Sequence, residues 1–331
     1  MAALSEDQTQ VPRILVVRGG ALGDFVLTLP AIALLREAFP HCRLELMGYQ
    51  HIIELANRRG YADAIRSIDY GPMAGFFAAR GNLDEELAAY FAGFQQVVSF
   101  LFDPDGVWRA NLQRAGVKNL IEVSPKIHDG LHASYQLAQP LQRLALYLDN
   151  PAARMYPSDE DCAQALHFLN IHGVQPTEKL LVVHPSSGGA AKNLSPEFWS
   201  KALTSVCKNY PHVRRIVVGG EADYEVLDCL QQNTSEGIIL ARDLTLPTLA
   251  ALLQKASVYC GHDTGVSHMA AAVGAPCWLA FGPTDPEVWA PPHEHVQVFR
   301  EPNRALKDLA FSQLQGQLEA FFEPLLGSAS L

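Results

Sequence analysis

The sequence predicts an α/β protein with two doubly wound parallel sheets. Short runs of apolar and β-branched residues alternate with helical patterns along the whole chain, which is the rhythm of parallel βα units. A stretch rich in Pro, Asp and Asn at 149–161 interrupts this rhythm once and is interpreted as a linker. At 331 residues the chain is also too long for one ordinary hydrophobic core, so two domains are expected.

The predicted elements form two series, one on each side of the linker. In the first series the strands are 13–18, 43–48, 64–69, 96–102 and 119–123, with helical patterns near 26–38, 50–58, 83–93, 105–115 and 130–148. In the second series the strands are 179–184, 213–219, 237–241, 257–261, 276–281 and 295–299, with helical patterns near 196–209, 221–233, 246–254, 264–273 and 305–325. Ser158 and Ser195 are expected to begin helices as N-caps. The last helical pattern is amphipathic and is expected to pack on the body of the protein, because its polar face lacks the Lys and Arg of a membrane-surface helix.

Composition excludes several classes of protein. The net charge of −10 argues against nucleic acid as the main partner. Residues 1–155 hold 14 Lys+Arg and 16 Asp+Glu, so the acidic excess lies mainly in the second half of the chain. No run approaches the roughly 18 apolar residues of a membrane span, and the polar N-terminus MAALSEDQTQ does not have the pattern of a secretory signal, so a cytoplasmic location is expected. The six scattered cysteines are interpreted as reduced core residues.

The first candidate motif is GGALGD at 19–24, between a predicted strand and a predicted helix. Its spacing fits neither the dinucleotide G-x-G-x-x-G pattern nor a P-loop. Its glycines permit a tight turn, and Asp24 falls at or near the helix start. From the residues alone, Asp24 is either a helix cap or a general base.

Two loops of the second series are candidate anion sites. In HPSSGGAAK, 184–192, small hydroxyl residues and glycines let backbone N–H groups approach an anion, and Lys192 adds a cation; a flexible polar loop is the alternative. In CGHDTGVSH, 260–268, a strand ends where a helix begins, although Asp263 or Thr264 could be a plain cap. His262 and His268 are six residues apart, so a zinc pair is rejected and satisfied buried histidines are expected.

Three further motifs follow predicted strands. Glu221, after Gly219-Gly220, could accept hydrogen bonds from ribose hydroxyls or lie in the first turn of a helix. The segment Asp103-Pro104-Asp105 could hold a divalent metal ion or form a turn. The loop at 281–286 is interpreted as a rigid turn. Since ligands of parallel sheets bind beyond the carboxyl ends of the strands, the clustering of every motif at such ends predicts a ligand site.

Three stretches resemble the bacterial heptosyltransferase family, glycosyltransferase family 9, whose members are inverting enzymes that use ADP-heptose to build the lipopolysaccharide core. They are ILVVRGGALGDFVLTLPAIALLREAFP (14–40), VVHPSSGGAAKNLSPEFW (182–199) and GHDTGVSHMAAAVGAPCWLAFGPTDPEVWAPP (261–292). The third is the most specific, and the strand rhythm agrees over the whole chain. Asn193-Leu194 after the lysine and Gly19-Gly20 depart from the family pattern, and the acceptor region at 50–150 does not align.

The resemblance implies a GT-B fold of two Rossmann-like domains facing a central cleft. Residues 1–155 would bind the acceptor, 156–304 would bind the nucleotide sugar, and the helix in 305–331 would pack back toward the first domain. The resemblance also implies that no metal ion and no cofactor is needed. It changes the interpretation of Asp24, which matches the aspartate proposed as the base in the family. Lys192 matches a lysine that contacts phosphate.

The donor-binding residues implied by the resemblance lie on the loops of the second series. They are Ser186, Ser187, Gly188, Glu221, Asp263, Thr264, Gly265 and His268. The expected function is heptosyl transfer from ADP-heptose to a lipid-linked or other glycan acceptor, in the cytoplasm or at the inner face of the cytoplasmic membrane. The alternatives are a GT-B transferase or epimerase for another nucleotide sugar, and a non-catalytic module that binds nucleotide or glycan.

Overall fold

The protein folds as two units, which are described in a computed structural model for residues 11–234, 237–301 and 305–327. The first unit comprises the chain up to Gly20 together with Ala31–Ile127 and Leu137–Leu148. The second comprises Ala21–Pro30, His128–Gln136 and the chain from Asp149 onward. The N-terminal decapeptide examined for a secretory signal lies outside the described residues, as do 302–304, where a domain boundary was expected.

The first unit contains a parallel sheet of five strands in the order β3-β2-β1-β4-β5. All five predicted strands are confirmed, and their bounds are β1 Arg13–Arg18, β2 Arg43–Gly48, β3 Ala64–Ser67, β4 Gln96–Ser99 and β5 Leu120–Glu122. The central strand β1 is buried from Ile14 to Arg18, as expected for a strand of a parallel sheet covered on both faces. Three aromatic side chains, Phe76, Phe91 and Trp108, pack beside this sheet.

The first helix is longer than the sequence pattern predicts, and the other predicted helices before the linker are shorter. Their bounds are α1 Leu22–Ala38, α2 Gln50–Ile53, α3 Ala74–Phe77, α4 Glu85–Ala92, α5 Val107–Arg114 and α6 Ala133–Ala138, with 3-10 turns at Glu54–Ala56, Gly71–Met73 and Gln139–Leu144. The helix expected over 130–148 becomes α6 followed by a 3-10 turn. Pro140 accounts for this change, because proline has no N–H to continue an α-helix.

The second unit contains a parallel sheet of six strands in the order β11-β10-β9-β6-β7-β8. All six predicted strands are confirmed, and their bounds are β6 Lys179–Val183, β7 Val213–Gly219, β8 Ile238–Arg242, β9 Val258–His262, β10 Cys277–Phe281 and β11 Val296–Arg300. The strand order reverses between β6 and β9, and such a reversal is the usual ligand position of a doubly wound sheet. Two parallel-sheet α/β units confirm the expected fold class.

The remaining helices surround the second sheet. Their bounds are α7 Asp159–Ile171, α8 Pro196–Asn209, α9 Tyr224–Asn233, α10 Leu246–Gln254, α11 Gly265–Ala272, α12 Pro286–Trp289 and α13 Phe311–Leu326, with 3-10 turns at Ala190–Lys192, Glu221–Asp223 and Leu306–Asp308. Both predicted N-caps are present. Ser158 and Asp161 form a capping box on α7, and the Ser195 side chain accepts a hydrogen bond from the N–H of Phe198.

The last helix packs on the body of the protein, as its amphipathic pattern predicts. Helix α13 contacts α8 and β9 and is part of the second unit. Its apolar stripe Leu314, Leu318 and Phe322 is buried in the core that also contains Trp199 and Trp278. The packing toward the first domain that the family resemblance implies stays a prediction.

The two units are each built from more than one segment of the chain. Residues 21–30 and 128–136 come early in the chain but are grouped with the second unit. The first turn of α1, which carries Asp24, therefore belongs to the same unit as the loops after β6 and β9. The Pro- and Asp-rich stretch at 149–161 marks where one series of strands and helices ends. It does not indicate which earlier segments of the chain are grouped with the second unit.

Candidate active site

The carboxyl ends of four neighbouring strands bring most of the predicted site residues together. In the second sheet β10, β9, β6 and β7 lie side by side, and the loops that follow them carry 282–285, 263–265, 184–192 and 220–223. These loops and the first turn of α1 all belong to the second unit. The site therefore lies at the position that the parallel topology predicts.

Lys192 forms an ion pair with Asp263. Its Nζ atom lies 2.6 Å from Asp263 Oδ2, and Thr284 Oγ1 donates to the same oxygen at 2.8 Å. The lysine side chain is 31% exposed and the aspartate 11% exposed, so the charged head of Lys192 is accessible from solvent. The sequence predicted only a rigid turn at 281–286 and no role for Thr284. The Thr284 hydroxyl fixes the Asp263 carboxylate, which in turn holds Lys192.

Asp223 organises the ends of β6 and β7. Its Oδ1 accepts a hydrogen bond from Ser186 Oγ at 2.5 Å, and its Oδ2 accepts one from the N–H of Gly220 at 2.9 Å. His184 Nε2 lies 3.4 Å from Oδ2. Burial works to raise the pKa of Asp223, but the hydrogen bonds from His184 and Ser186 outweigh it and lower the pKa to about 2. Asp223 is therefore an anion at neutral pH.

The N-terminus of α11 follows β9. Thr264 caps the helix, because its Oγ1 accepts a hydrogen bond from the N–H of Ser267, as one of the sequence alternatives predicted. The N–H groups of Gly265 and Val266 have no acceptor within the described ranges. The N–H groups of Ser187 and Gly188, in the loop after β6, also have no acceptor in the described part of the chain. Unpaired amides beside a lysine are suited to bind an anion.

His262 joins β9 to the loop that carries Lys192. Its Nε2 accepts a hydrogen bond from the N–H of Leu194 at 2.9 Å, so the second proton of a neutral ring must lie on Nδ1. Burial, reinforced by nearby His184, lowers the pKa of His262 to about 3. The interpretation of His262 as a satisfied buried histidine holds for Nε2, and a hydrogen bond to the backbone of Ser186 acts against the effect of burial on the pKa of the ring.

Asp24 lies in the first turn of α1, at the third helical position. Its Oδ2 accepts a hydrogen bond from the N–H of Ala21 at 3.0 Å, which is half of a capping box. The carboxylate is partly exposed. A cap and a base are compatible roles, because a carboxylate has lone pairs beyond the one that receives this N–H.

Two glycines bring the starts of α1 and α11 together. A Cβ atom on Gly265 would lie 2.7 Å from the backbone nitrogen of Gly23, and one on Gly23 would lie 3.7 Å from His268 Cδ2. The Asp24 turn is therefore adjacent to the predicted anion site at the start of α11. Two helix N-termini, each with a partial positive charge, adjoin here.

His268 is a buried histidine close to both carboxylates of interest. Burial lowers its pKa to about 4, while Asp263 and Asp24 act in the opposite direction. The ring is therefore neutral at pH 7. It is 5% exposed, and no hydrogen bond to its nitrogens is found within the described ranges.

The other predicted site residues are distributed unevenly. Ser187 Oγ donates to Asn193 Oδ1 at 2.5 Å, so the residue that departs from the family pattern closes the loop after β6. Glu221 is exposed at the start of a 3-10 turn. Sequence reasoning selected Glu221 and missed Asp223, although both follow the glycine pair. Glu221 is the first of these two acidic residues after the strand, and this position favoured it as the candidate ligand of a ribose.

The segment Asp103-Pro104-Asp105 is a turn. Asp103 accepts the N–H of Trp108 at 3.1 Å and the N–H of Arg109 at 2.9 Å, which accounts for its carboxylate without a metal ion. Across the described ranges, no three or more His, Cys, Asp or Glu side chains are grouped so as to hold a metal. The described helices include none with the length and apolar character needed to cross a membrane.

Comparison with known proteins identifies the family. Residues 132–317, more than half of the chain, match the family model of glycosyltransferase family 9 (heptosyltransferase), and the chain belongs to this family. A protein of Escherichia coli K12 named lipopolysaccharide heptosyltransferase 3 is 23% identical over 307 residues, covering 84% of each chain.

Solved structures agree on the fold. A family 9 glycosyltransferase from Veillonella parvula superposes with a TM-score of 0.79 at 19% identity, covering 96% of this chain and 98% of the other. An E. coli heptosyltransferase solved with ADP superposes with a TM-score of 0.68 at 18% identity, covering 93% and 99%. These likenesses confirm the expected GT-B class of fold.

Proposed function

We propose that this glycosyltransferase moves a heptose, or a related sugar, from an ADP-sugar to a lipopolysaccharide-core or other surface-glycan acceptor with inversion at the anomeric carbon. The observation that carries the proposal is the grouping of Lys192, two sets of unpaired amides and the Asp24 turn in one unit. The E. coli structure solved with ADP and the relative named for lipopolysaccharide support the choice of donor and acceptor.

The donor diphosphate would bind at the ends of β6 and β9. Lys192 keeps Asp263 as an anchor and has further N–H donors for phosphate oxygens. The amides of Ser187, Gly188 and Gly265 supply hydrogen bonds of fixed direction. Together these groups balance the charge that grows on the leaving diphosphate, which is why we propose that the reaction needs no metal ion.

Asp24 would act as the general base. The acceptor hydroxyl gives its proton to the Asp24 carboxylate while its oxygen bonds to the anomeric carbon. The bond between that carbon and the diphosphate oxygen breaks on the opposite face, and the electron pair leaves with ADP. His268 is neutral at pH 7, so it brings no positive charge to the carboxylate that must take up the proton.

The remaining donor contacts belong to the same proposal. Thr264 and His268 would lie beside the sugar diphosphate, and Glu221 would accept hydrogen bonds from the ribose. The acceptor is proposed to be lipid-linked, so the reaction would take place on the cytoplasmic side, at the inner face of the cytoplasmic membrane.

Nucleotide selectivity tests the donor assignment. Calorimetric titration with ADP, UDP and GDP in the presence of EDTA should give binding of ADP. Lys192→Ala should weaken it at least tenfold, because the side chain is the cation of the site and its loss leaves Asp263 to repel the diphosphate. The control is Lys201→Ala, which removes an exposed lysine paired with Glu197 on α8. Preference for UDP or GDP, or a requirement for magnesium, would contradict the ADP-sugar assignment.

Substitution of Asp24 tests the base. Asp24→Asn keeps an oxygen that can accept the Ala21 N–H but cannot take up a proton at neutral pH. We expect the turnover number for transfer to fall by at least a hundredfold while ADP affinity stays within a factor of about two. The matched control is Asp84→Asn, which changes the N-cap of α4 in the first unit. Transfer by Asp24→Asn near the wild-type rate would reduce Asp24 to a cap, and release of free sugar or epimer without acceptor would favour a different nucleotide-sugar enzyme.

A further inference from the structure

The ends of β6, β7 and β9 are joined by a chain of polar side chains that includes Asp223 and His184, two residues with no role in the proposed mechanism. Asp223 lies beside Ser186 and His184, and His184 Nδ1 in turn lies 3.4 Å from Thr264 Oγ1. The side chain of His184 is 8% exposed and that of Asp223 is 17% exposed. This chain of contacts connects the two loops that would hold the donor diphosphate, after β6 and β9, with the loop after β7.

The negative charge of Asp223 sets the direction of the hydrogen bonds made to it. An ionised carboxylate can only accept, so Ser186 must donate its single O–H to Asp223. For the same reason the proton of a neutral His184 lies on Nε2, facing Asp223. The lone pair on Nδ1 then faces Thr264, whose hydroxyl accepts the N–H of Ser267 and can donate to this lone pair or to Ser267 Oγ, each at 3.4 Å.

We propose that Asp223 and His184 are positioning residues that commit the hydroxyl protons of Ser186 and Thr264 to the interior and hold both anion loops in register. This inference rests on the proposed donor site and changes the role expected for two of its residues. With their protons committed, Ser186 and Thr264 cannot donate to a phosphate. Recognition of the diphosphate then falls to the backbone amides and to Lys192.

Gly219 provides the space for this arrangement. A Cβ atom at Gly219 would lie 2.8 Å from Asp223 Cβ and 3.1 Å from its Oδ2. The last residue of β7 must therefore be glycine for the Asp223 side chain to lie over the strand end. The substitution Gly219→Ala displaces the carboxylate without changing the charge of the site, so it separates position from electrostatics.

The test compares two variants, Asp223→Asn and Gly219→Ala, with a control. The control is Asp228→Asn on α9, which alters an exposed ion pair with Arg242. The first measurement is the ¹⁵N NMR spectrum of histidine-labelled protein, with His184 assigned from a His184→Gln variant. Wild type should show His184 with its proton on Nε2. In Asp223→Asn the amide oxygen should stay on the side of Gly220 N–H and His184, so His184 should keep its proton on Nε2, while the amide NH₂ should face Ser186 and release the Ser186 hydroxyl proton.

The second measurement is ADP affinity. Removal of a negative charge should, by electrostatics alone, tighten binding of a diphosphate. The proposal expects the opposite, an increase of about tenfold in the dissociation constant for both Asp223→Asn and Gly219→Ala, with Asp228→Asn unchanged. The turnover number measured at saturating donor should change less than the donor KM, because Asp24 is untouched.

Two results would overturn the proposal. One is a wild-type His184 that carries its proton on Nδ1, and the other is unchanged or tighter ADP binding by both variants. The NMR measurement is independent of the donor assignment. If wild type binds no ADP, the proposed function fails while the tautomer of His184 still decides the hydrogen-bond directions.

Discussion

His262 shows how a single buried side chain can hold a catalytic loop. Its neutral ring accepts the N–H of Leu194, two residues beyond Lys192, and its ring packs edge-on against Trp199 at 5.4 Å between centroids. A protonated ring would lose this acceptor. The position of Lys192 is thus linked to the protonation state of a residue that contacts no ligand in the proposed mechanism.

The stability of the protein should fall in mild acid because of His262. Its pKa is 6.5 when unfolded and about 3 in the fold, so the unfolded state takes up a proton first as the pH falls. Stability from this group is complete above pH 6.5 and decreases between pH 6.5 and about 3. At pH 5 the loss is about 2 kcal/mol. Urea titrations of wild type and His262→Gln at pH 7 and pH 5 should show a smaller decrease in the variant, whose amide oxygen can still accept the Leu194 N–H.

An exposed histidine provides the control for this titration. His167→Gln on α7 should keep the wild-type difference between the two pH values. Equal pH dependence in wild type and His262→Gln would show that another group carries the acid sensitivity, for which buried His268 is the next candidate.

At the level of elements, α1 and α11 meet through a pair of glycines, and this contact has no room for a methyl group. Gly265→Ala would place a Cβ 2.7 Å from both the backbone nitrogen of Gly23 and Leu22 Cβ. We expect the melting temperature to fall by several degrees and ADP affinity to fall with it, because the two helix starts must separate. Differential scanning calorimetry and ADP titration check the two effects.

At Gly316, in helix α13, substitution by alanine is expected to stabilise the protein. It is exposed in the middle of α13, and a Cβ there would meet no atom within 4 Å. Gly316→Ala should therefore stabilise the protein by roughly 0.5–1 kcal/mol, since alanine loses less backbone entropy in a helix. A loss of stability in Gly316→Ala would contradict the placement of this residue on the open face of α13.

The elements were largely predictable because they depend on local pattern. Eleven strands are short apolar runs, and two serine caps precede their helices, so each is identified by its immediate neighbours in sequence. The Asp223 and Thr284 contacts were missed for the opposite reason. Asp223 meets His184 and Ser186 from a different loop, and Thr284 meets Asp263, and no spacing rule relates residues on different strands. Family resemblance identified Lys192 and Asp263, but it did not predict that they pair.

At the level of the whole molecule, the residues of the proposed donor site belong to the second unit, which includes two segments from the first half of the chain. Hydrogen exchange followed by mass spectrometry should therefore show ADP-dependent protection in 185–193, 219–224 and 263–268, and also in 21–30. The strand ends of the first unit at 49–53 and 100–106 should exchange at the same rate with and without ADP.

The same experiment tests whether the Asp24 turn, at the start of α1, responds to the nucleotide. Protection confined to residues beyond 149 would mean that the Asp24 turn does not respond to the nucleotide, and the proposed base would lose its connection to the donor. Protection spread evenly over both sheets would indicate global stabilisation by ligand binding rather than a local site.

The contact between Gly23 and Gly265 has a consequence for biosynthesis. The first turn of α1 is synthesised well before the helix start against which it packs, because strands β2 to β9 lie between them in the chain. Domains tend to fold as units during synthesis, yet here the second unit lacks one of its pieces unless that early segment is kept available. The candidate site consequently cannot form until the start of α11 has been synthesised, and a pause in translation near the linker would come too early to help it to form.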